Sequence, residues 1–470
     1  MCLRRLALCL LVAATGCPSR EVSKIDPSQA PSVRNDIPVE VNRDIDILFV
    51  IDNSNSMGEE QSSLGSNFPN FINVLQGIEG GLPNVHIGVV SSNVGAGGQP
   101  ISACTGDGDN GRLQNAPRIA GCSAPNGFWI SDIDNGSGAR MTNYTGTLPD
   151  TFACIAQLGT GGCGFEQHME SMRRALDGTN SENNGFLRDN AHLAVIFIAD
   201  EDDCSATSGA LFDPTQDSVS DPLGPRTSFR CSEFGYQCDG SSIGREPRQL
   251  DEPGGALECQ PIGARNSTDS DYLWHPQVYV DFLRSLKPLD PLLLIVAGII
   301  GNPDPVAIQL DNDGNPEIAP SCVSGAGEAD PGIRFKYFMD QFPNRNTFTS
   351  ICNTDLSDAL TQIAELLARV IGNPCIDGNI DLDNNPSNGL QYDCSVADVQ
   401  YPHTDNEVQT IIAPCTTPGS VGPDPCWYIT TDAANCGGVP NQATLIVLPD
   451  GRTPAPGTHV IMECVTYTGG

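Results

Sequence analysis

Ile45-Asp46-Ile47-Leu48-Phe49-Val50-Ile51, followed at once by Asp52-Asn53-Ser54-Asn55-Ser56-Met57-Gly58, decides the reading of this chain. The first seven residues are apolar almost without interruption, as expected of a parallel strand covered on both faces. Similar runs recur at 85–90, 193–199 and 292–300, with a weaker one at 347–351. Between them apolar residues return at helical spacing: after Gly58 at Phe68, Phe71, Ile72 and Leu75; from Phe165 through Met169 and Met172 to Leu176; and over 278–286, 333–342 and 356–370. Strands alternating with helices predict an α/β fold, an open and mostly parallel sheet with helices on both faces and right-handed crossovers.

The segment after the first strand spells Asp-x-Ser-x-Ser over Asp52, Ser54 and Ser56. Three short oxygen-bearing side chains at alternate positions of a strand-to-helix loop can converge on one hard cation, Mg²⁺ or Ca²⁺. The loop also lies at the carboxyl edge of the predicted sheet, where α/β folds place ligands. Ser56 as the helix N-cap is the competing reading.

A strand ending in Asp-x-Ser-x-Ser resembles the first metal-site element of the von Willebrand factor type A (VWA) family. That family's later element, an apolar strand ending in Asp, is matched by 193–199 followed by Asp200. The resemblance covers roughly 44–371. It implies a Rossmann-like VWA fold with a metal-ion-dependent adhesion site (MIDAS) of Asp52, Ser54, Ser56 and Asp200. The family's middle element is a Thr before the next helix. Here the sequence reads Gly159-Thr160-Gly161-Gly162-Cys163-Gly164-Phe165-Glu166, so Thr160 comes early and Cys163 or Gly164 holds the matching place. Thr160 is the candidate. Glu166 is an alternative oxygen donor, or an acid of the first helical turn favoured by the helix dipole. Glu201, Asp202 and Asp203 read as a solvated acidic loop. In the family the metal keeps an open position that an acidic side chain of a protein partner fills, which implies adhesion or assembly rather than catalysis.

The N-terminus reads as an export signal, with Arg4 and Arg5 before an apolar run over 6–14 that is too short to span a bilayer. Ala14-Thr15-Gly16-Cys17 resembles the lipobox of bacterial lipoproteins, although Ala14 stands where that motif usually has Leu. An ordinary signal-peptidase site is the alternative. The expected organisation is a signal peptide over 1–16, a lipid-anchored linker over 17–43 with Cys17 lipidated, and a VWA domain over 44–371. Insertions at about 204–273 and 302–330 interrupt that domain, and a small Cys-rich β domain follows over 372–470. Pro18 after the cysteine, in place of Asp, implies an outer-membrane lipoprotein facing the periplasm or the exterior.

Of 19 cysteines, Cys2 and Cys9 leave with the signal and Cys17 takes the lipid, which leaves 16. That even number suits disulfides in an oxidising compartment, with Cys231 and Cys238 a plausible local pair. No Cys-x-x-Cys supports zinc. With 24 Lys plus Arg against 58 Asp plus Glu, the net charge is −34, which repels phosphate backbones and excludes nucleic acid as a partner.

An enzyme reading finds little support. Gly240-Ser241-Ser242-Ile243-Gly244 has the Gly-x-Ser-x-Gly spelling but no apolar strand before it to build a nucleophile elbow. The six histidines are scattered without His-Glu-x-x-His. Asp311-Asn312-Asp313-Gly314 and Asp381-Leu382-Asp383-Asn384-Asn385 lack the closing Glu of a calcium loop and read as turns. The alternatives to a metal-dependent binder are therefore a structural envelope protein, in which the ion only stiffens a loop, and after it a hydrolase.

Overall fold

The computed structural model describes residues 32–38, 42–78, 81–117, 120–137, 139–251, 259–325, 327–353, 355–372, 376, 380, 382–383, 391–392, 394–402, 406–419, 424–432, 436, 442–448 and 458–465. The signal segment 1–16 and Cys17 lie outside them, as do Asp381, Asn384 and Asn385. Among the described residues no helix is long and apolar enough to cross a membrane.

In chain order the elements begin with β1 (Ser32–Pro38), β2 (Asp44–Ile51), α1 (Gly58–Gln76), β3 (Asn84–Ser91), β4 (Ile130–Asp134) and β5 (Arg140–Thr142). Next come α2 (Leu148–Ala156), α3 (His168–Leu176) and β6 (His192–Ile198), then α4 (Phe229–Glu233), β7 (Tyr236–Cys238), β8 (Ser241–Ser242), β9 (Arg248–Asp251) and β10 (Cys259–Pro261). After α5 (Gln277–Leu286) and β11 (Leu294–Ile300) lie β12 (Val306–Leu310), β13 (Pro316–Ile318), β14 (Cys322–Val323) and β15 (Glu328–Ala329). α6 (Ile333–Asp340), β16 (Asn346–Ser350) and α7 (Ser357–Gly372) end this part of the chain.

A seven-stranded sheet in the order β16-β11-β6-β2-β3-β4-β5 forms the centre. Its first five strands are parallel, in register from Ile45 opposite His192 to Ile51 opposite Ile198, and from Asp44 opposite Asn84. The expectation of a mostly parallel sheet needs one correction, because β4 and β5 add antiparallel to β3 and make the sheet mixed. Those strands are short and half-exposed, so they lack the continuous apolar runs of the centre.

The pleat explains why β2 is apolar at successive positions. Ile45, Ile47, Phe49 and Ile51 pack under α1, α2 and α7, while Leu48 and Val50 pack on the other face against α3, α5 and α6. On the first face Phe68 of α1 stacks on Phe152 of α2 with ring centres 3.6 Å apart, and Phe49 lies 4.7 Å from Phe152. The polar exception in β2 is Asp46, fully buried, which accepts hydrogen bonds from Arg188 Nε at 2.7 Å and the Arg188 N–H at 2.6 Å. A buried carboxylate needs such a partner.

The described residues of the two insertions carry regular strands, which their irregular sequence pattern does not show. β9 from the first pairs with β12 of the second in a three-stranded sheet completed by β13, and β7, β8 and β10 form another. Short strands held by disulfides escape periodicity arguments. Cys231 bonds Cys204, and Cys238 bonds Cys259 across the β7–β10 pair, so the local pair Cys231 with Cys238 does not form. Further disulfides join Cys104 with Cys163, Cys122 with Cys154, and Cys322 with Cys352.

The last part of the chain contributes β17 (Leu382–Asp383), β18 (Gln391–Tyr392), β19 (Cys394–Gln400), β20 (Val408–Pro414), β21 (Cys426–Thr431), β22 (Ala443–Leu448) and β23 (Thr458–Val465). Its six-stranded sheet runs β1-β23-β19-β20-β21-β22 around Val396, Trp427, Leu445 and Met462. Disulfides Cys394–Cys464 and Cys415–Cys426 support it. Ser32–Pro38, assigned by composition to the linker, is instead the edge strand of this sheet, antiparallel to β23. Backbone pairing decides the matter, which Pro and Ser content does not report. His459 Nε2 lies 2.7 Å from Asp290 Oδ2 and ties this sheet to the amino-terminal edge of the central one.

Candidate metal centre

β2 and β6 are neighbours and parallel, so the residues that follow them emerge side by side at the carboxyl edge of the sheet. Asp52 and Asp200 meet there. The Asp52 N–H donates to the Ile198 carbonyl at 2.9 Å, which continues the pairing by one residue. The Asp52 side chain is fully buried, and its Oδ1 accepts the Ser54 N–H at 2.7 Å and the Ser92 hydroxyl at 3.3 Å. The hydroxyls of Ser54 and Ser56 are 3.2 Å apart. α1 begins without a side-chain cap, so Ser56 is not the N-cap; its hydroxyl instead acts on the Asp200 carboxyl, holding it down. Asp52, Ser54, Ser56 and Asp200 thus share one locus.

The loop carrying Thr160 is stitched to this locus. Gln61 Nε2 donates to the carbonyls of Asp52 at 2.8 Å and Gly159 at 3.1 Å, while Gln61 Oε1 accepts the Gly159 N–H at 2.9 Å. The Gly162 N–H donates to the Asn53 carbonyl at 2.8 Å. That approach requires glycine, since a Cβ at 162 would fall 2.2 Å from Asn53 Oδ1. Thr160 itself is exposed and its methyl faces Gly58, beside the Ser56 turn. Gln61 is a structural clamp that sequence reading passed over as one polar residue of an amphipathic helix.

Glu166 precedes α3 rather than sitting in its first turn. It is 1% exposed, and its carboxyl is held well above the usual range, by burial first and then by Glu201. Two further groups went unnoticed in the sequence. His168 is fully buried with Nε2 3.5 Å from Asp52 Oδ2, its ring edge-on to Phe335. Glu60, in the first turn of α1, is 6% exposed and pushed up by burial, then by Glu59 and Asp52. A scattered histidine and a helix-start glutamate carry no signal in sequence.

Charge crowding defines the chemistry. Burial, then the Asp52 and Glu201 charges, push the Asp200 carboxyl up to about 8, while the Ser56 hydroxyl opposes that rise. Asp52 Oδ2, Glu60 Oε2, Glu166 Oε1 and Asp200 Oδ1 are all buried and accept no hydrogen bond. Buried carboxylate oxygens without partners each cost on the order of a few kcal/mol, and a cation is the group that would offset several at once. Among the described residues no three His, Cys, Asp or Glu side chains are grouped to hold a metal on their own. A ligand set here must therefore include the Ser54 and Ser56 hydroxyls and water, the oxygen-rich, hydrated kind of set that Mg²⁺ takes.

Asp311-Asn312-Asp313-Gly314 is a turn closed by its own aspartate, and of Asp381–Asn385 only Leu382 and Asp383, in β17, are described. Asp311 Oδ1 accepts the N–H groups of Asp313 and Asn315, both at 2.8 Å, and Ser241 and Ser242 are an exposed two-residue strand.

No protein-family model matches the chain, and no curated protein matches it. Among solved structures it is similar to the pilus adhesin (RrgA) from Streptococcus pneumoniae, at a TM-score of 0.23 and 10% identity over 93% of this chain. The chain spans 57% of the length of that structure. A similarity this slight says nothing about what this chain binds.

Proposed function

We propose that this is an exported, lipid-anchored envelope protein of the outer membrane whose α/β domain is of the VWA kind. In this reading Asp52, Ser54, Ser56 and Asp200, with Thr160 beside them, hold one Mg²⁺ or Ca²⁺, and the site captures an acidic side chain of a protein partner. The observation that carries it is the pair of buried oxygens that accept no hydrogen bond, Asp52 Oδ2 and Asp200 Oδ1, beside two serine hydroxyls at one sheet edge. When bound, the ion supplies a positive centre for a carboxylate that this acidic surface would otherwise repel. Asp52 and Asp200 hold the charge, the two serines orient it, and Gln61 fixes the loop. The disulfides fit an oxidising compartment. We read the chain as a binder rather than an enzyme.

Asp52→Ala is expected to abolish titration of one divalent ion in calorimetry, with circular dichroism unchanged, and to abolish capture of a partner from envelope extract. A partner that binds equally to wild type, to Asp52→Ala and in chelator would sink this reading in favour of a structural role.

A further inference from the structure

We propose that the sheet built by the last part of the chain is held on the amino-terminal edge of the central sheet by an acid-labile latch, in which His459 and Asp290 close the contact and the buried His192 beneath them opens it as the pH falls. Asp290 precedes β11 and His192 begins β6, and those strands are parallel neighbours with Leu294 opposite Leu193. Both groups therefore sit at the end of the sheet opposite the metal centre. β6 runs from His192 to Ile198, which at about 3.3 Å per residue puts roughly 20 Å between the two ends. The latch shares no residue with that centre and goes beyond the function proposed above.

His459 comes from β23, and its Nε2 lies 2.7 Å from Asp290 Oδ2 with the two side chains 3% and 13% exposed. Side chains alternate along a strand, so Ile461 shares the face of His459; the register with β19 adds Val399 opposite His459 and Ala397 opposite Ile461. These three apolar residues form a small buried cluster of their own, apart from the core on the other face of that sheet. The Cys394–Cys464 disulfide ties β19 to β23, so the sheet moves as one piece. One polar latch over so small an apolar patch is a contact that opens without unfolding either sheet.

The charges around the latch are unbalanced. His192 faces Arg345, Asp290, His459 and Lys287, while Asp290 faces His459, His192 and Arg345. One carboxylate thus stands against two permanent cations, Arg345 from the turn before β16 and Lys287 from the end of α5. Both are 3% exposed, and Lys287 Nζ is fixed by the carbonyls of Arg188 at 2.7 Å and Asp189 at 3.0 Å. A proton on His192 would add a third positive charge. His192 is fully buried, and among the described residues neither ring nitrogen has a hydrogen-bond partner, so nothing in the closed state stabilises an imidazolium there. Burial first, then Arg345, lower its pKa from 6.5 to about 3. Burial would raise the Asp290 carboxyl, but the His459 hydrogen bond and charge, then His192, hold it below its usual range, so it stays ionised in mild acid. A base whose pKa is depressed in the closed state and restored by water in the open one takes up a proton on opening. Closure is therefore complete above about pH 6.5 and weakens as the pH falls below it. From pH 7 to pH 5 one such histidine favours opening by up to about 20-fold.

The test is amide hydrogen exchange read by mass spectrometry on the full chain, in chelator so that the metal centre plays no part, at pH 7 and pH 5 with the intrinsic exchange rate corrected at each. Amides over 292–294 and 458–461 are expected to lose protection by up to about 20-fold at pH 5 and to regain it on return to pH 7. Those over 47–51 and 195–198 should keep theirs. His192→Gln, neutral at both pH values, should show equal protection at both. His459→Ala, which leaves the buried strand untouched, should show lowered protection already at pH 7. A readout that needs no change at 192 is the His192 ring Cε1 proton followed by NMR with labelled histidine, which should titrate at lower pH in wild type than in His459→Ala. Unchanged protection in wild type between the two pH values, an equal loss in His192→Gln, a loss that extends to 47–51 and 195–198, or one and the same His192 titration in wild type and His459→Ala would each overturn the latch.

Discussion

Replacing Asp200 by Asn should stabilise the metal-free protein while destroying its response to metal. Burial and the neighbouring charges raise the Asp200 carboxyl from 3.8 to about 8. Folding therefore favours the neutral acid. Its contribution to stability is intact below about pH 4 and is lost progressively as pH rises toward 8. At pH 7 roughly three units of that shift are already felt, and at about 1.4 kcal/mol per unit the ceiling is about 4 kcal/mol. Asp52 and Glu201 share the same repulsion, so about half of this, about 2 kcal/mol, is the expected gain from Asp200→Asn. Urea denaturation in chelator should show the variant more stable than wild type at pH 7 and equal to it at pH 4. Adding Mg²⁺ or Ca²⁺ at a hundredfold excess over its Kd should stabilise wild type by about 2.7 kcal/mol and the variant by far less. A variant that is less stable than wild type in chelator at pH 7, or that shows the same difference at both pH values, would refute the reasoning.

Arg188→Ala leaves Asp46 buried without its cation and is expected to cost about 3–5 kcal/mol in denaturant unfolding, part of it recovered by adding Asp46→Asn. Cys17→Ser should move the protein from the membrane fraction to the soluble one, and a variant still membrane-bound would remove the lipid anchor from the proposal. The denatured, unreduced mature chain should show few alkylatable thiols, counted by mass after labelling.

The parallel half of the sheet was legible because burial on both faces forces continuous apolar runs, and each of the five runs in the sequence became a strand within two residues at either end. Asp52 and Asp200 were legible because each directly follows such a run. α2 was not, since its nine residues begin at Leu148-Pro149 inside a stretch of Gly, Thr and Asn. The antiparallel strands β4 and β5 were lost for the opposite reason: half-exposed strands need only backbone pairing, and backbone pairing leaves no mark on composition. The same holds for β1, a linker by its residues and a strand by its partner β23.

Glu201, Asp202 and Asp203 show where sequence reasoning about charge stops. Three consecutive acids after a strand read as a solvated loop, yet Asp203 is fully buried and the other two are only partly exposed. Each faces a different neighbour supplied by a distant part of the chain. Glu201 meets Glu166 before α3, Asp202 caps α6 through the Arg334 and Phe335 N–H groups, and Asp203 caps α3 through the Met169 N–H while pairing with Arg334. Two of the three are thereby satisfied by donors, as burial requires. Glu201 is not, because the neighbour it faces is another acid, and its carboxyl is raised by burial before any other cause. An acidic tripeptide therefore divides into two residues that hold helices against the sheet and one that adds to the negative field beside Asp200. That division follows from which backbone N–H groups happen to reach the loop, a property of the packed fold that no local pattern of charges encodes.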